Sequence, residues 1–157
     1  MSSTESVLAT RALSACRGSS VADAAGVAAL TWADEDTPRV FRGLGGYLGG
    51  RNRGRLPFLE VSVGGSDIGQ TSNDGGEGMT TIHLRAHCGG ADLGTAEDLT
   101  AGMLSAAIAA IRSETTDNLA AVGSDQIDAL EPGPWGCQRD ARVMVVQSWA
   151  RDDYEVA

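Results

Sequence analysis

The sequence contains no lysine, and all twelve of its basic residues are arginines. This absence excludes Schiff-base catalysis by a lysine amine and the lysine that contacts phosphate in a P-loop. Aromatic residues are also few, with three Trp, two Tyr and two Phe. The core must therefore come mainly from Leu, Ile, Val, Met and Ala. No apolar run approaches the roughly 20 residues of a membrane-spanning helix.

Cysteines are few and odd in number, and no CxxC motif is present: Cys16, Cys88 and Cys137 lie far apart in the chain. The first residues lack the basic start and apolar run of a secretory signal peptide. We therefore expect free thiols and synthesis in a reducing, intracellular compartment.

Positive charge is in deficit, because the 157 residues carry a formal net charge of −9. A strongly acidic surface repels nucleic-acid phosphates and most membranes, which argues against a general DNA-, RNA- or lipid-binding role. It leaves open a channel through which DNA slides without adhering. The length predicts a single domain over residues 1–157, and the 21 glycines predict many turns and loops.

The apolar pattern predicts an α/β (α+β) fold with a mainly antiparallel sheet flanked by helices. An opening helix is expected to run to about Cys16, with Ser2 and Glu5 spaced as a capping box. Residues 20–31 are weakly helical around Gly26, and residues 39–42 fit a short strand. A second clear helix is expected to begin at Thr95 as its N-cap. Its apolar stripe comprises Leu99, Met103, Leu104, Ala107, Ile108 and Ile111.

Two alternating segments predict an antiparallel hairpin. Residues 58–63 place Leu59 and its alternate neighbours on one face and Glu60 on the other, and residues 79–88 alternate in the same way. The polar residues 64–78 between them contain a strong turn signal at 73–76 and predict a long, projecting hairpin tip. Further along, we expect a short strand at 126–130, a turn at 131–136 and an interior strand at 142–149.

We predict no catalytic residue, no cofactor and no metal site. His83, His87 and Cys88 have the composition of a metal site, but positions four apart on a strand are separated by about 13 Å, and Cys88 lies on the opposite face from His87. Both histidines are therefore interpreted as surface residues. Ser66 lacks the GxSxG spacing of a nucleophile elbow, and Cys137 has no obvious activating histidine.

The glycine-rich segment 43–55 carries alternating arginines at Arg51, Arg53 and Arg55. Two interpretations fit this flexible arm: a solvated loop, or an inter-subunit contact that docks on an acidic neighbouring copy. The hairpin tip also has two interpretations. Its acidic residues Asp67, Asp74 and Glu77 either line a channel in a ring, where they repel DNA, or are merely solvated.

The order of elements resembles the tail terminator (tail completion) proteins of long-tailed bacteriophages and gene transfer agents. The resemblance rests on the opening helix at 5–16, the strand around 56–61, the alternating strand 80–87, the helix from Thr95 and the closing strand 142–149. It covers about two-thirds of the chain and lies in pattern, without an invariant motif. Residues 17–55 depart from the family pattern.

The resemblance implies a structural virion protein without catalytic residues, made in the cytoplasm of a bacterial host. Six copies would form a ring that stops polymerisation of the tail tube. The expected partners are further copies of the chain, the tail tube protein and the head–tail connector or stopper protein, with genomic DNA passing through the lumen and no membrane contact. The alternatives are another neck or tail component, such as a stopper or tube subunit, and more distantly a small intracellular enzyme or a ligand-binding module.

Overall fold

The computed structural model describes residues 4–34, 36, 39–43, 56–72, 75–90, 92–114, 119–121 and 125–150. Four helices lie within these ranges: α1 (Thr4–Cys16), α2 (Ser19–Ala25), α3 (Ala29–Trp32) and α4 (Leu93–Ser113). None of these described helices is long and apolar enough to cross a membrane. The predicted opening helix is confirmed, whereas Ser2 of its capping box lies outside the described residues.

The weakly helical segment around residue 26 forms two short helices. Gly26 ends α2 in the left-handed region, with φ of 70°, and its N–H donates to the carbonyls of Ala22 and Asp23. Trp32 at the end of α3 is fully buried, and its indole N–H donates to the carbonyl of Cys16 at 2.8 Å. This bond joins α3 to the end of α1.

The described strands form one sheet in which β1 pairs with β2 in parallel and all other pairings are antiparallel. The molecule is therefore an α+β protein with a mainly antiparallel sheet, as predicted. The strands are β1 (Val40–Arg42), β2 (Phe58–Ser72), β3 (Gly75–Cys88), β4 (Leu119–Ala121), β5 (Gln126–Ile127), β6 (Glu131–Gly133) and β7 (Gly136–Ala150). Strand β7 pairs with β3 on one side and with β4, β5 and β6 on the other, so its predicted interior position is confirmed.

The main hydrophobic core lies between the described helices and one face of the sheet. Alternate residues of the three long strands point into it, because successive side chains of a strand face opposite ways. Helices α1, α2 and α4 supply the other half of this core, together with Trp32. The strand residues that they cover are Leu59, Val61, Ile82, Leu84, Ala86, Ala141, Val143 and Val145. We call this side of the sheet the helix-covered face and the opposite side the polar face.

Strands β2 and β3 are longer than their sequence pattern predicts. Their pairing runs from Phe58 opposite His87 to Ser72 opposite Gly75, with register shifts between Gly64 and Asp67 and between Gln70 and Ser72. The hairpin tip predicted at 64–78 is thus largely paired strand. Glycines weaken an alternating pattern without preventing a ladder of backbone hydrogen bonds.

Helix α4 begins two residues before the predicted N-cap. Asp92 is the N-cap, and its carboxylate accepts hydrogen bonds from the Gly94 N–H at 3.0 Å and the Thr95 hydroxyl at 2.9 Å. These bonds, first that from the Thr95 hydroxyl, lower the pKa of Asp92. The prediction of Thr95 was wrong because Thr95 has a competitor three residues earlier whose carboxylate is the stronger acceptor.

Candidate functional site

A buried acid–imidazole pair joins β2 to β3 on the polar face. Glu60 and His87 are both 0% exposed, and the Glu60 carboxylate contacts Nε2 of His87. Phe58 stacks on the imidazole, with ring centroids 4.4 Å apart and an interplanar angle of 16°. Phe41 of β1 meets Phe58 edge-on at 5.6 Å. The four side chains therefore link three adjacent strands.

This pair corrects the interpretation of His87 as a surface residue. Alternation placed both residues on the polar face correctly, but it cannot indicate whether that face is covered. The turn signal at 73–76 predicts that the two strands pair but does not fix their register. In the observed register Phe58 lies opposite His87 and Glu60 opposite Arg85, so Glu60 and His87 are diagonal neighbours.

The chemistry open to the Glu60–His87 pair is limited by its burial. A carboxylate that orients an imidazole is part of many nucleophilic sites. Here both side chains are closed to solvent, and a general base must be within reach of the substrate proton that it takes. The pair therefore fixes β2 against β3 and does not provide an accessible reaction centre.

Farther along the polar face, charged side chains form half-exposed pairs between strands. Arg85 binds Asp140 through two hydrogen bonds of 2.7 and 3.1 Å, and Arg142 lies 3.6 Å from Asp128. A shallow depression of about 250 Å³ lies beside these pairs, and His83 borders it. Such pairs fix strand register and contribute little to stability at the surface.

The histidines and Cys88 do not converge. Cys88 lies on the helix-covered face in a small cluster with Ala96 and Cys137, whereas His83 and His87 lie on the polar face. Among the described residues, no three His, Cys, Asp or Glu side chains are grouped closely enough to hold a metal ion.

The outer edge of β2 is the feature best suited to binding another chain. Strand β1 covers this edge only from Leu59 to Val61, and no other described strand pairs there. The Leu59 N–H donates to Arg39 and the Val61 carbonyl accepts from Gly43, so odd-numbered residues direct their backbone groups outward. By the same alternation Val63 directs its N–H toward the open edge. An open edge is a template for a further strand.

The residues predicted to contact neighbours or a channel fall mainly outside what is described. Arg51, Arg53 and Arg55 lie outside the described residues, and so does Asp74. Asp67 pairs with Met79 and Glu77 pairs with Gly69, which places these two acidic positions two register pairs apart on adjacent strands. The hairpin register thus brings Asp67 and Glu77 close in the backbone ladder.

A cleft of about 560 Å³ lies at the N-terminal end of α4, against the β6–β7 hairpin. Leu93, Leu130 and Pro132 give it apolar walls, and Glu97 and Glu131 line it as well. Leu93 is 64% exposed although it is large and apolar. This cleft could not be predicted from the sequence, because its walls come from two segments, 90–97 and 130–137, that are distant along the chain.

Comparison with known proteins adds no relative: no protein-family model matches the chain, and no curated protein matches it in sequence.

Proposed function

We propose that this chain is a structural subunit that assembles with further copies of itself into a ring, as the tail terminator of a long-tailed bacteriophage. In this role the ring stops polymerisation of the tail tube and joins it to the head connector. DNA passes through its lumen without specific binding. The chain itself performs no catalysis.

The observation that carries the proposal is the long β2–β3 hairpin, whose outer edge is paired among the described strands by β1 alone. Strand β2 continues from Val61 to Ser72 beyond the part that β1 covers. At about 3.3 Å per residue, this extension offers more than 30 Å of backbone donors and acceptors. A second copy that adds a strand or arm to this edge would satisfy those groups, and repeating the contact around an axis closes a ring.

The net charge supports the same role. At −9 the chain repels DNA phosphates, so a lumen built from such subunits lets DNA slide without adhering. Asp67 on β2 and Glu77 on β3 lie in the part of the hairpin that extends beyond β1. In the proposed ring this part of the hairpin faces the channel and contributes its negative charge.

Imaging by negative stain tests the proposal directly. Purified protein at increasing concentration should give rings of about six copies with an open centre. Filaments that grow without limit would instead favour a tube subunit, and dispersed single particles at every concentration would contradict the proposal.

The cleft beside α4 favours a second candidate, a monomeric ligand-binding module. Its volume of about 560 Å³ lies within the range of small-molecule sites. This candidate requires a chain that stays monomeric and whose cleft binds a small apolar compound or peptide. In negative-stain images the tail terminator should therefore appear as rings and the ligand-binding module as single particles.

A further inference from the structure

Two of the three thiols face each other across adjacent strands. Cys88, at the end of β3, is in direct register with Cys137, near the start of β7. Their exposures are 2% and 5%, and both belong to the small apolar cluster with Ala96 beneath α4. Both are free thiols. Because directly paired residues share a sheet face, the two sulfurs are on the same side of the sheet.

The backbone spacing at this position suits a disulfide. Directly opposed residues of antiparallel strands have Cα atoms about 4.5 to 5.5 Å apart, and disulfides span about 4.4 to 6.8 Å between Cα atoms. The pair also lies where the backbone can adjust, since Gly89 and Gly90 follow Cys88 and Gly136 precedes Cys137.

The ends of β3 and β7 approach each other closely at Gly136. Its φ is 144°, and a Cβ there would lie 2.6 Å from both the Cys88 carbonyl oxygen and the Gly90 nitrogen. A Cβ on Gly90 would lie 3.2 Å from the sulfur of Cys137. A side chain at position 136 would therefore clash with the backbone, whereas one at position 90 would only press on the sulfur of Cys137, and this close approach of the two strand ends keeps the two cysteine backbones near each other.

A small reagent can approach the pair from one side. Cys137 forms part of the wall of the cleft of about 560 Å³ at the N-terminal end of α4. Cys88 is not among the residues that line this cleft, and burial together with the neighbouring Cys137 raises the pKa of the Cys88 thiol. The geometry therefore assigns first attack to Cys137 and resolution to Cys88.

We propose that Cys88 and Cys137 are a thiol–disulfide redox pair that is oxidised by low-molecular-weight disulfides entering through the cleft. Cys137 loses its proton to solvent, and its thiolate attacks one sulfur of the reagent, which breaks the reagent disulfide, forms a mixed disulfide and releases one reagent thiolate. Cys88 then loses its proton to solvent and attacks the Cys137 sulfur. That step breaks the mixed disulfide, forms the Cys88–Cys137 bond and releases the second reagent thiolate. Two protein thiols are oxidised and one reagent disulfide is reduced to two thiols. This proposal does not depend on ring assembly.

Cys16 serves as an internal control. It is fully buried in the main core, apart from the cluster of Cys88 and Cys137, and burial raises the pKa of its thiol to about 12. A thiol of this kind is inert toward disulfide reagents while the protein is folded.

The test uses the natural chain in buffers with defined ratios of reduced to oxidised glutathione, quenched with acid and alkylated in denaturant. Trypsin cuts only at arginine here, so the three cysteines fall in separate peptides, 12–17, 86–112 and 113–139. The proposal predicts an intrachain link between the second and third peptides, a mass lower by about 2 Da than that of the reduced chain, and full alkylation of Cys16. Three alkylated thiols at every ratio, or a link between two chains, would overturn it.

The order of the two steps has its own test. In Cys88→Ser the reaction should stop at a glutathione adduct on Cys137, whereas Cys16→Ser should form the intrachain disulfide as the natural chain does. An adduct-free Cys88→Ser chain that remains folded by circular dichroism would overturn entry through Cys137.

Discussion

At the scale of single residues, the Glu60–His87 pair is the least ordinary feature of the chain, because it places a carboxylate and an imidazole out of contact with water. Removing one member of a buried pair takes away the charge that compensates the other, which costs about 3 to 5 kcal/mol. Replacing both members by apolar residues of similar volume is often neutral. The pair is therefore expected to contribute to register more than to net stability.

A double-mutant cycle measures the interaction free energy between Glu60 and His87. Glu60→Leu alone and His87→Phe alone should each lower the free energy of unfolding, the first by about 3 to 5 kcal/mol, and the double variant should recover to within about 1 kcal/mol of the natural chain. Urea unfolding followed by circular dichroism gives each value. A double variant as unstable as the sum of the single ones would contradict the coupling.

Asp140→Asn supplies the matched control on the same face. Its partner Arg85 is 24% exposed and Asp140 itself 32%, so solvent screens the interaction. The expected loss of unfolding free energy is about 1 kcal/mol or less.

The sequence predicts which face each of these side chains occupies but not its burial. Alternation assigns Glu60 and His87 to the face opposite Leu59, and the structure agrees. Whether a face is covered depends on segments distant in sequence, and periodicity within one strand contains no information about them. The pairing of Cys88 with Cys137 could not be predicted for the same reason. These residues are 49 positions apart, and their pairing depends on the register between their two strands.

At the scale of secondary-structure elements, two glycines in helical surroundings should respond oppositely to the same substitution. Gly26 has φ of 70° and ends α2, and a Cβ there would meet no atom within 4 Å. Gly102 lies inside α4, where a Cβ would be 4.0 Å from the Ala24 carbonyl oxygen. Space is thus available at both positions, and only the backbone conformation differs.

We predict that Gly26→Ala lowers the free energy of unfolding by about 1 to 2 kcal/mol, because an L-residue is strained in the left-handed region. Gly102→Ala should raise it by about 0.5 to 1 kcal/mol, because alanine loses less backbone entropy in a helix. Chemical denaturation of the two variants side by side checks both signs. Equal effects in the same direction would contradict the assigned conformations.

The N-cap of α4 predicts a pH-dependent contribution to stability. The pKa of Asp92 is lowered from its ordinary value of 3.8, so its contribution is fully present above that value and is lost as the pH falls through the lowered pKa. Asp92→Ala should therefore lower Tm by about 2 to 4 °C at pH 7, with a smaller difference near pH 3.

Asp92→Asn is the control for this prediction, since its amide oxygen accepts the Gly94 N–H at every pH. Neither variant has a titrating side chain at position 92, so the difference in Tm between Asp92→Asn and Asp92→Ala should stay the same at every pH. Thermal unfolding from pH 7 down to pH 2 provides the comparison, and an Asp92→Ala deficit that does not shrink anywhere below pH 3.8 would contradict the cap.

Most elements were predictable because their signals are local. The apolar stripe of α4 and the alternation of β3 each lie within one segment, and both predictions are confirmed. The ends of β2 and β3 were not predictable, because the glycines between residues 64 and 78 weaken the local strand pattern while the ladder with β7 continues to Gly75 opposite Ala150. Tertiary pairing overrode local propensity there.

At the scale of the whole molecule, the helices cover one face of the sheet and leave the outer edge of β2 open beyond Val61 among the described strands. Natural proteins normally cover or disrupt a long open edge, because it invites uncontrolled pairing. An edge of this length that the described strands leave unpaired is suited to a defined partner, and another copy of the chain is the partner that we propose.

Val63→Pro tests this edge, because the substitution removes an outward N–H without removing a hydrogen bond to β3. Val63→Ala is its matched control, since it shortens the same side chain and retains the N–H. Val63→Pro should remain folded and fail to assemble, whereas Val63→Ala should assemble as the natural chain does.

Light scattering at matched concentrations gives the solution mass of the natural chain and of both variants, and it is the most direct test of ring assembly. We predict a mass of about six chains for the natural protein and for Val63→Ala, and a single chain of 16.2 kDa for Val63→Pro. A natural chain that remains at 16.2 kDa at the highest concentration would contradict self-assembly into a ring.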